Sequence, residues 1–399
     1  MELHWLKPLL GRPAPFVTVC LDATRAESAG EAAAVERWRA LRRDLVHAGA
    51  ADGLLDEIGD AVARPTHLRE PHGRVIVADA EGVRVDRVLA EAPVRSWAVR
   101  GPAPALLPVV RAACQSVRSL LVVVDRQGAE LTFADETGPH PTRQLEVVEG
   151  GHDVVHKGNE GGLSDRRTHA RAEDSWERNA QVVAVEVDKV VAEKKPELLL
   201  VAGDVRAVAL LREAVGQRAR AMWVEVPGGS RSDGVNQAAF AAQLRSALTA
   251  HRTARTGAVL AEFREEQGRG AGAVTELSDV VAVLRRGQAR ELVLHDSIAG
   301  ASSPIAGRTA WVGPDPLQLA LTRSELEAIG VTEGAREIPA DIALVRAAVG
   351  QDAGLTFATN GAVDLVDGVG VLLRWSDGST PSESVPSLSS DRKRMHSIA

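Results

Sequence analysis

Two periods of apolar and polar positions alternate along this chain, and the switches between them predict its elements. In the first stretch, Phe16 to Leu21 is an apolar-rich run of strand length. Glu31 to Ala48 and Asp52 to Ala63 repeat apolar residues at helical spacing, and Val75-Ile76-Val77 with Val83-Arg84-Val85, joined by Ala80-Glu81-Gly82, predict a hairpin. The breakers Arg100-Gly101-Pro102-Ala103-Pro104 close this stretch. The second opens with Leu120-Leu121-Val122-Val123-Val124, a turn at Asp125-Arg126-Gln127-Gly128, and a returning strand from Ala129 to Phe133. A long helical pattern from about Arg166 to Lys194 stops before Pro196 and leads to Leu198-Leu199-Leu200-Val201, which ends at Gly203; a helix from about Val235 to Ala250 follows.

The third stretch predicts a helix from Thr256 to Gln267, the Gly-rich Gly268-Arg269-Gly270-Ala271-Gly272, and a helix from Glu276 to Arg286 stopped by Gly287. Strand Glu291 to Leu294, helices Ser324 to Ile329 and Asp341 to Ala348, and strand Gly370 to Arg374 complete it. Strand, helix and strand in alternation argue α/β and α+β folds in three domains. Their expected spans are 1–115, 116–255 and 256–375. The Ser/Pro-rich 376–399, ending in a small basic cluster, is expected to be a disordered tail.

Composition narrows the function classes. A chain of 399 residues with 45% hydrophobic content exceeds one ordinary core. Two cysteines, Cys20 and Cys114, make neither a disulfide framework nor a cysteine-rich zinc site; both read as buried fillers. The start Met1-Glu2-Leu3-His4-Trp5 lacks a basic leader, and no apolar run approaches the roughly 20 residues a bilayer requires, so a cytoplasmic protein without a membrane partner is expected, and the negative net charge argues against a DNA partner. A net charge of −7 means that any RNA contact must be local, and five Phe, seven Trp and no Tyr disfavour a base-stacking sheet.

One segment carries a local signal: His156-Lys157-Gly158-Asn159-Glu160-Gly161-Gly162-Leu163-Ser164-Asp165-Arg166-Arg167-Thr168-His169-Ala170-Arg171. Its glycines allow close approach to another backbone, and 152–165 is expected to be poorly ordered because a polar Gly-rich loop buries too little to offset its entropy. On the helix that follows, Arg167, Arg171 and Arg178 fall within roughly 40° of one another at about 100° per residue. Trp176, Ala180, Val183, Val187 and Val190 cluster on the opposite side. Asp174 also lies on the arginine face and weakens it.

This string resembles the middle domain of the archaeal and eukaryotic class I release factor and Pelota-like superfamily, in which a Gly-Gly-Gln loop precedes a long Arg-rich helix. The apolar hairpin before it and the strand Val201-Ala202-Gly203-Asp204 after it fit the same order. The run from Ala261 to His295 resembles the family's ribosomal-protein-like α/β/α C-terminal domain. The N-terminal stretch matches weakly, with nothing resembling stop-codon-reading elements.

The resemblance implies a ribosome-binding translation factor that reaches the A site and peptidyl transferase centre. It further implies rRNA contact by Lys157, Gly161, Gly162, Leu163, Arg166, Arg167, His169 and Arg171. Where the family places glutamine this chain has Leu163, which neither donates nor accepts a hydrogen bond and cannot orient water or stabilise an oxyanion. A catalytic residue, a cofactor and termination activity are therefore not expected.

Pelota-like rescue factors also lack that glutamine, as does the bacterial branch resembling the hibernation factor Balon, which binds idle ribosomes with elongation factor Tu. The Ala/Arg/Val-rich, Lys-poor composition is that of a high-GC bacterium and favours hibernation. Rescue, and hydrolysis of peptidyl-tRNA or tRNA, stay open as alternatives. His152, Asp153, His156 and His169 match no metal-ligand spacing, and Gly268 to Gly272 lacks the Lys-Ser/Thr of a phosphate loop and reads as a turn between helices.

Overall fold

The computed structural model describes residues 3–24, 32–66, 71–89, 91–134, 142–149, 164–231, 235–270, 272–298, 300 and 302–381; at 4, 32–33, 142–149 and 164–174 the description is of backbone alone. The chain groups into two compact units, one comprising the residues up to Gln115 with those from Arg255 onward, the other Ser116–Ala254. The segments read from the sequence as first and third domains thus share a unit. The physical reason is a common apolar cluster in which Leu6, Leu106 and Val110 join Leu344, Val345 and Leu355.

In the first unit, α1 (Lys7–Leu10), β1 (Phe16–Asp22), α2 (Ala32–His47) and α3 (Asp52–Ala63) precede β2 (Gly73–Asp79), β3 (Gly82–Leu89), β4 (Trp97–Gly101) and α4 (Leu107–Gln115). The sheet runs β3-β2-β1-β4, with Val19 opposite both Ile76 and Ala98. Alternate residues Val17, Val19 and Leu21 face a layer formed by Trp38, Leu41 and Leu45 of α2 and Leu55 and Ile58 of α3. The breaker-rich segment begins inside this sheet, because Arg100 and Gly101 pair with Val17 and Phe16.

The second unit contains β5 (Ser119–Val124), β6 (Gly128–Ala134), β7 (Thr142–Glu149), α5 (Ser164–Lys194), β8 (Leu198–Gly203), α6 (Val205–Ala214), α7 (Gln217–Ala221) and β9 (Trp223–Glu225). Its sheet has the order β7-β6-β5-β8-β9, antiparallel through the hairpins and parallel from β5 through β9. The near-continuous apolar run of β8 follows from burial on both faces of a parallel strand. On α5, Ala180, Val183, Val187 and Val190 are buried, which places the core on the face that the periodicity marks. Val183, Val187 and Val190 pack with Leu120, Val122, Leu131, Leu199 and Leu211.

Helix α8 (Gln237–Arg269) is a single 33-residue element spanning both helices expected over 235–250 and 256–267. Nothing in His251-Arg252-Thr253-Ala254-Arg255 breaks a helix, so the expected interruption does not occur. The Gly-rich segment then leads into strand β10 (Ala273–Thr275), not directly into a second helix. Next come α9 (Leu277–Arg285), β11 (Ala289–His295), β12 (Thr309–Val312), β13 (Leu319–Ala320), α10 (Arg323–Ala328), β14 (Arg336–Pro339), α11 (Ala340–Gly350), β15 (Gly354–Ala358) and β16 (Val369–Leu373).

Gly287 takes φ +72° after α9, the left-handed turn expected of it, and the Gln288 N–H donates to the Val283 carbonyl at 3.0 Å. Strands β10-β16-β11-β15 form one sheet and β13-β12-β14 a smaller one. The tail expected over 376–399 lies outside the described residues from 382 on. Mixed α/β architecture therefore holds for both units. No helix among the described residues is long and apolar enough to cross a membrane.

Candidate functional site

Where β5 and β8 end side by side in the second unit, three short polar segments converge. Gly203 closes β8 at φ +137°, and a Cβ there would stand 1.8 Å from the Val124 carbonyl oxygen, so the position excludes any side chain. Asp204 follows and caps α6, its Oδ1 accepting from the Arg206 N–H at 3.0 Å and the Ala207 N–H at 3.1 Å. Across from it, Asp125 shapes the β5–β6 turn by accepting from the N–H groups of Gln127 (2.7 Å) and Gly128 (2.9 Å), and Arg231 donates to the same carboxylate at 2.9 Å.

Helix α5 meets this edge at Trp176. The Arg126 and Arg206 guanidinium carbons lie 4.5 and 5.3 Å from the indole ring centre, both within cation–π range. Two cations on one ring repel, and Asp204 moderates that repulsion through its Oδ2, 3.3 Å from Arg126 Nη2. One turn further along α5, Asn179 Nδ2 donates to the Arg126 carbonyl at 2.9 Å. Burial raises the Asp204 carboxyl, but the Ala207 and Arg206 amides and the Arg126 charge outweigh it and hold the group below its ordinary range. Trp176, Arg126, Ala180 and Leu210 enclose only about 10 Å³, no more than one water occupies, so this is a packed joint and not a small-molecule pocket.

Of the residues expected at the site, Arg166, Arg167, His169 and Arg171 occupy the opening turns of α5, which begins at Ser164. Lys157, Gly161, Gly162 and Leu163 lie outside the described residues, as do His152, Asp153 and His156; the disorder expected over 152–165 is replaced at its end by helix at Ser164 and Asp165. The sequence reading missed Arg126, Asp204 and Arg206. An Asp one residue after a strand-ending glycine is a capping signal that locates Asp204, but nothing local pairs it with Arg126.

Both thiols are unsuited to nucleophilic work. Burial pushes the Cys20 thiol up to about 11 and that of Cys114 to about 12, and Cys114 Sγ donates to the Leu355 carbonyl at 3.3 Å. Among the described residues, no cluster of three or more His, Cys, Asp or Glu is arranged to hold a metal ion.

Residues 118–269 match the model of bacterial archaeo-eukaryotic release factor family 2. The matched segment is similar to that release-factor family. The matched span runs through α8 to its last residue, so the release-factor-like segment extends beyond the unit containing its sheet. Over 381 residues the chain is 26% identical to an uncharacterised protein of Mycobacterium tuberculosis H37Rv and, equally, to one of strain CDC 1551, covering 94% of this chain and 96% of each.

Among solved structures, similarity is found to Saccharomyces cerevisiae Dom34, a translation termination-like factor, at TM-score 0.39 and 9% identity over 78% of this chain and 81% of that one. A ribosome-bound archaeal Pelota gives TM-score 0.39 and 13% identity over 94% and 93%, and the archaeal termination factor aRF1 gives 0.22 and 13% over 93% and 96%. These superpositions are too loose to compare sites, and the family match to 118–269 is the deciding observation.

Proposed function

We propose that this protein is a non-enzymatic factor that occupies the A site of idle ribosomes, as a hibernation factor does, in the cytoplasm and in company with elongation factor Tu. The observation that carries the reading is Gly161-Gly162-Leu163 immediately before the arginine-bearing start of α5, within a segment that matches a release-factor family. The two glycines keep the backbone freedom needed to enter a crowded RNA site, while leucine removes the hydrogen bonding that hydrolysis of peptidyl-tRNA requires. Arg166, Arg167, His169 and Arg171, with Lys157 shortly before them in the sequence, supply local positive charge in a chain whose net charge is −7.

Two measurements test this together. The purified protein is expected to co-sediment with vacant ribosomes, more so with elongation factor Tu present, and to release no peptide from ribosomes carrying peptidyl-tRNA in a single-turnover assay. Leu163→Gln is expected to stay slow in that assay, because a misplacement of about 1 Å costs a catalytic group about 100-fold. Peptide release by the natural protein contradicts the non-enzymatic reading; binding confined to stalled, peptidyl-tRNA-bearing ribosomes replaces hibernation with rescue.

A further inference from the structure

The twelve residues of α5 that precede Trp176 include four of the proposed contact residues, Arg166, Arg167, His169 and Arg171, yet Ala170 and Ala172 are their only apolar residues. At about 1.5 Å per residue this arm is about 18 Å long, so a small change of tilt at its base displaces its tip by several ångströms. The base is where Arg126 and Arg206 both approach the Trp176 ring, with Asp204 bridging to Arg126 and Asn179 donating to the Arg126 backbone. The partners come from two places: Arg126 from a turn that Asp125 fixes, and Asp204 and Arg206 from the start of α6. A helix held only by aliphatic packing tolerates a shift of a few degrees. A planar ring in cation–π contact with two guanidinium groups, one of them tied to a carboxylate, admits far fewer orientations.

We infer that the Arg126–Trp176–Arg206 cluster sets the direction of the N-terminal arm of α5, making Trp176 and Arg126 positioning residues for the partner that the arm contacts. This inference rests on the ribosome-binding reading for the identity of that partner, and on the joint's own geometry for the rest. The small enclosed space agrees with the role, since a joint is filled where a binding pocket is open.

The test is amide hydrogen exchange on the full chain, read over 164–178 and 183–194, beside co-sedimentation with vacant ribosomes. Trp176→Leu is expected to speed exchange over 164–178 by about 5- to 30-fold while 183–194 stays protected, the range expected when two cation–π interactions are removed. Ribosome affinity should fall in the same variant, and Trp176→Tyr, which keeps an aromatic face, should recover both. Should Trp176→Leu lose protection throughout the unit, Arg126→Gln, which leaves the indole in place, decides the matter with the same expected pattern. Unchanged exchange over 164–178 in a folded Trp176→Leu or Arg126→Gln protein overturns the inference. Failure of the natural protein to bind ribosomes overturns the functional reading alone, because exchange still reports on the joint.

Discussion

The two halves of α5 solve opposite problems. From Trp176 onward the helix buries Ala180, Val183, Ala184, Val187 and Val191 against the sheet, and its place in the fold follows from that stripe. Before Trp176 its sequence offers four arginines or histidines and two alanines. A stretch of that length is marginal as an isolated helix, because nucleation costs more than a few turns return. The second half supplies the nucleus and the first half extends from it, so burial decides where the helix lies and leaves its other end open to function.

Substitutions in the packed half should have the largest effect. Val187 is fully buried, and Val187→Asp should destabilise the second unit by about 3–5 kcal/mol, the cost of an unpaired buried charge, seen as loss of its cooperative denaturant transition. A change of under 1 kcal/mol would mean that the helix is not seated as described. Gly203→Val comes next. Its positive φ alone costs about 1–3 kcal/mol, and the clash with the Val124 carbonyl adds to that, so the melting temperature should fall without any change at the start of α5.

Asp204 has a smaller and pH-dependent share. Loss of its cap in Asp204→Ala should cost about 0.5–2 kcal/mol. Its folded pKa lies below the ordinary value of about 3.9, so its stabilisation is complete above that pH and disappears as pH falls through the folded pKa. Asp204→Asn should therefore be less stable at neutral pH and show a shallower loss of stability below about pH 4 in acid titrations. An unaltered acid limb would show that the carboxylate is not linked to folding.

How far the sequence foretold this molecule depends on the range of the interaction. Helix α3, the hairpin of β5 and β6 and the core face of α5 follow from local periodicity, and the structure places them within a residue or two of the expected ends. Strands β12 and β13 were missed because four and two residues are too few to show a period. The sequence divides helix α8 in two because a polar stretch, His251 to Arg255, resembles a linker in pattern although it contains neither glycine nor proline to break a helix.

The joint at Trp176 was invisible for a different reason: Asn179 and Arg126 are 53 positions apart, and the packing of α5 against β5 and β6 brings them together. Gly161-Gly162-Leu163 and the arginines after it are legible as a motif in the sequence, since their spacing is local.

If the start of α5 serves ribosomal RNA and not the fold, its arginines should be dispensable for stability and needed for binding. The decisive experiment is co-sedimentation of the natural protein and Arg167→Ala/Arg171→Ala with vacant ribosomes across a salt series, beside denaturant unfolding of both. Stability should stay unchanged within about 0.5 kcal/mol while binding weakens, with a salt slope shallower by about 0.7–0.9 for each phosphate interaction removed. Equal binding and equal slope in a folded double variant would refute the assignment of this arm to RNA.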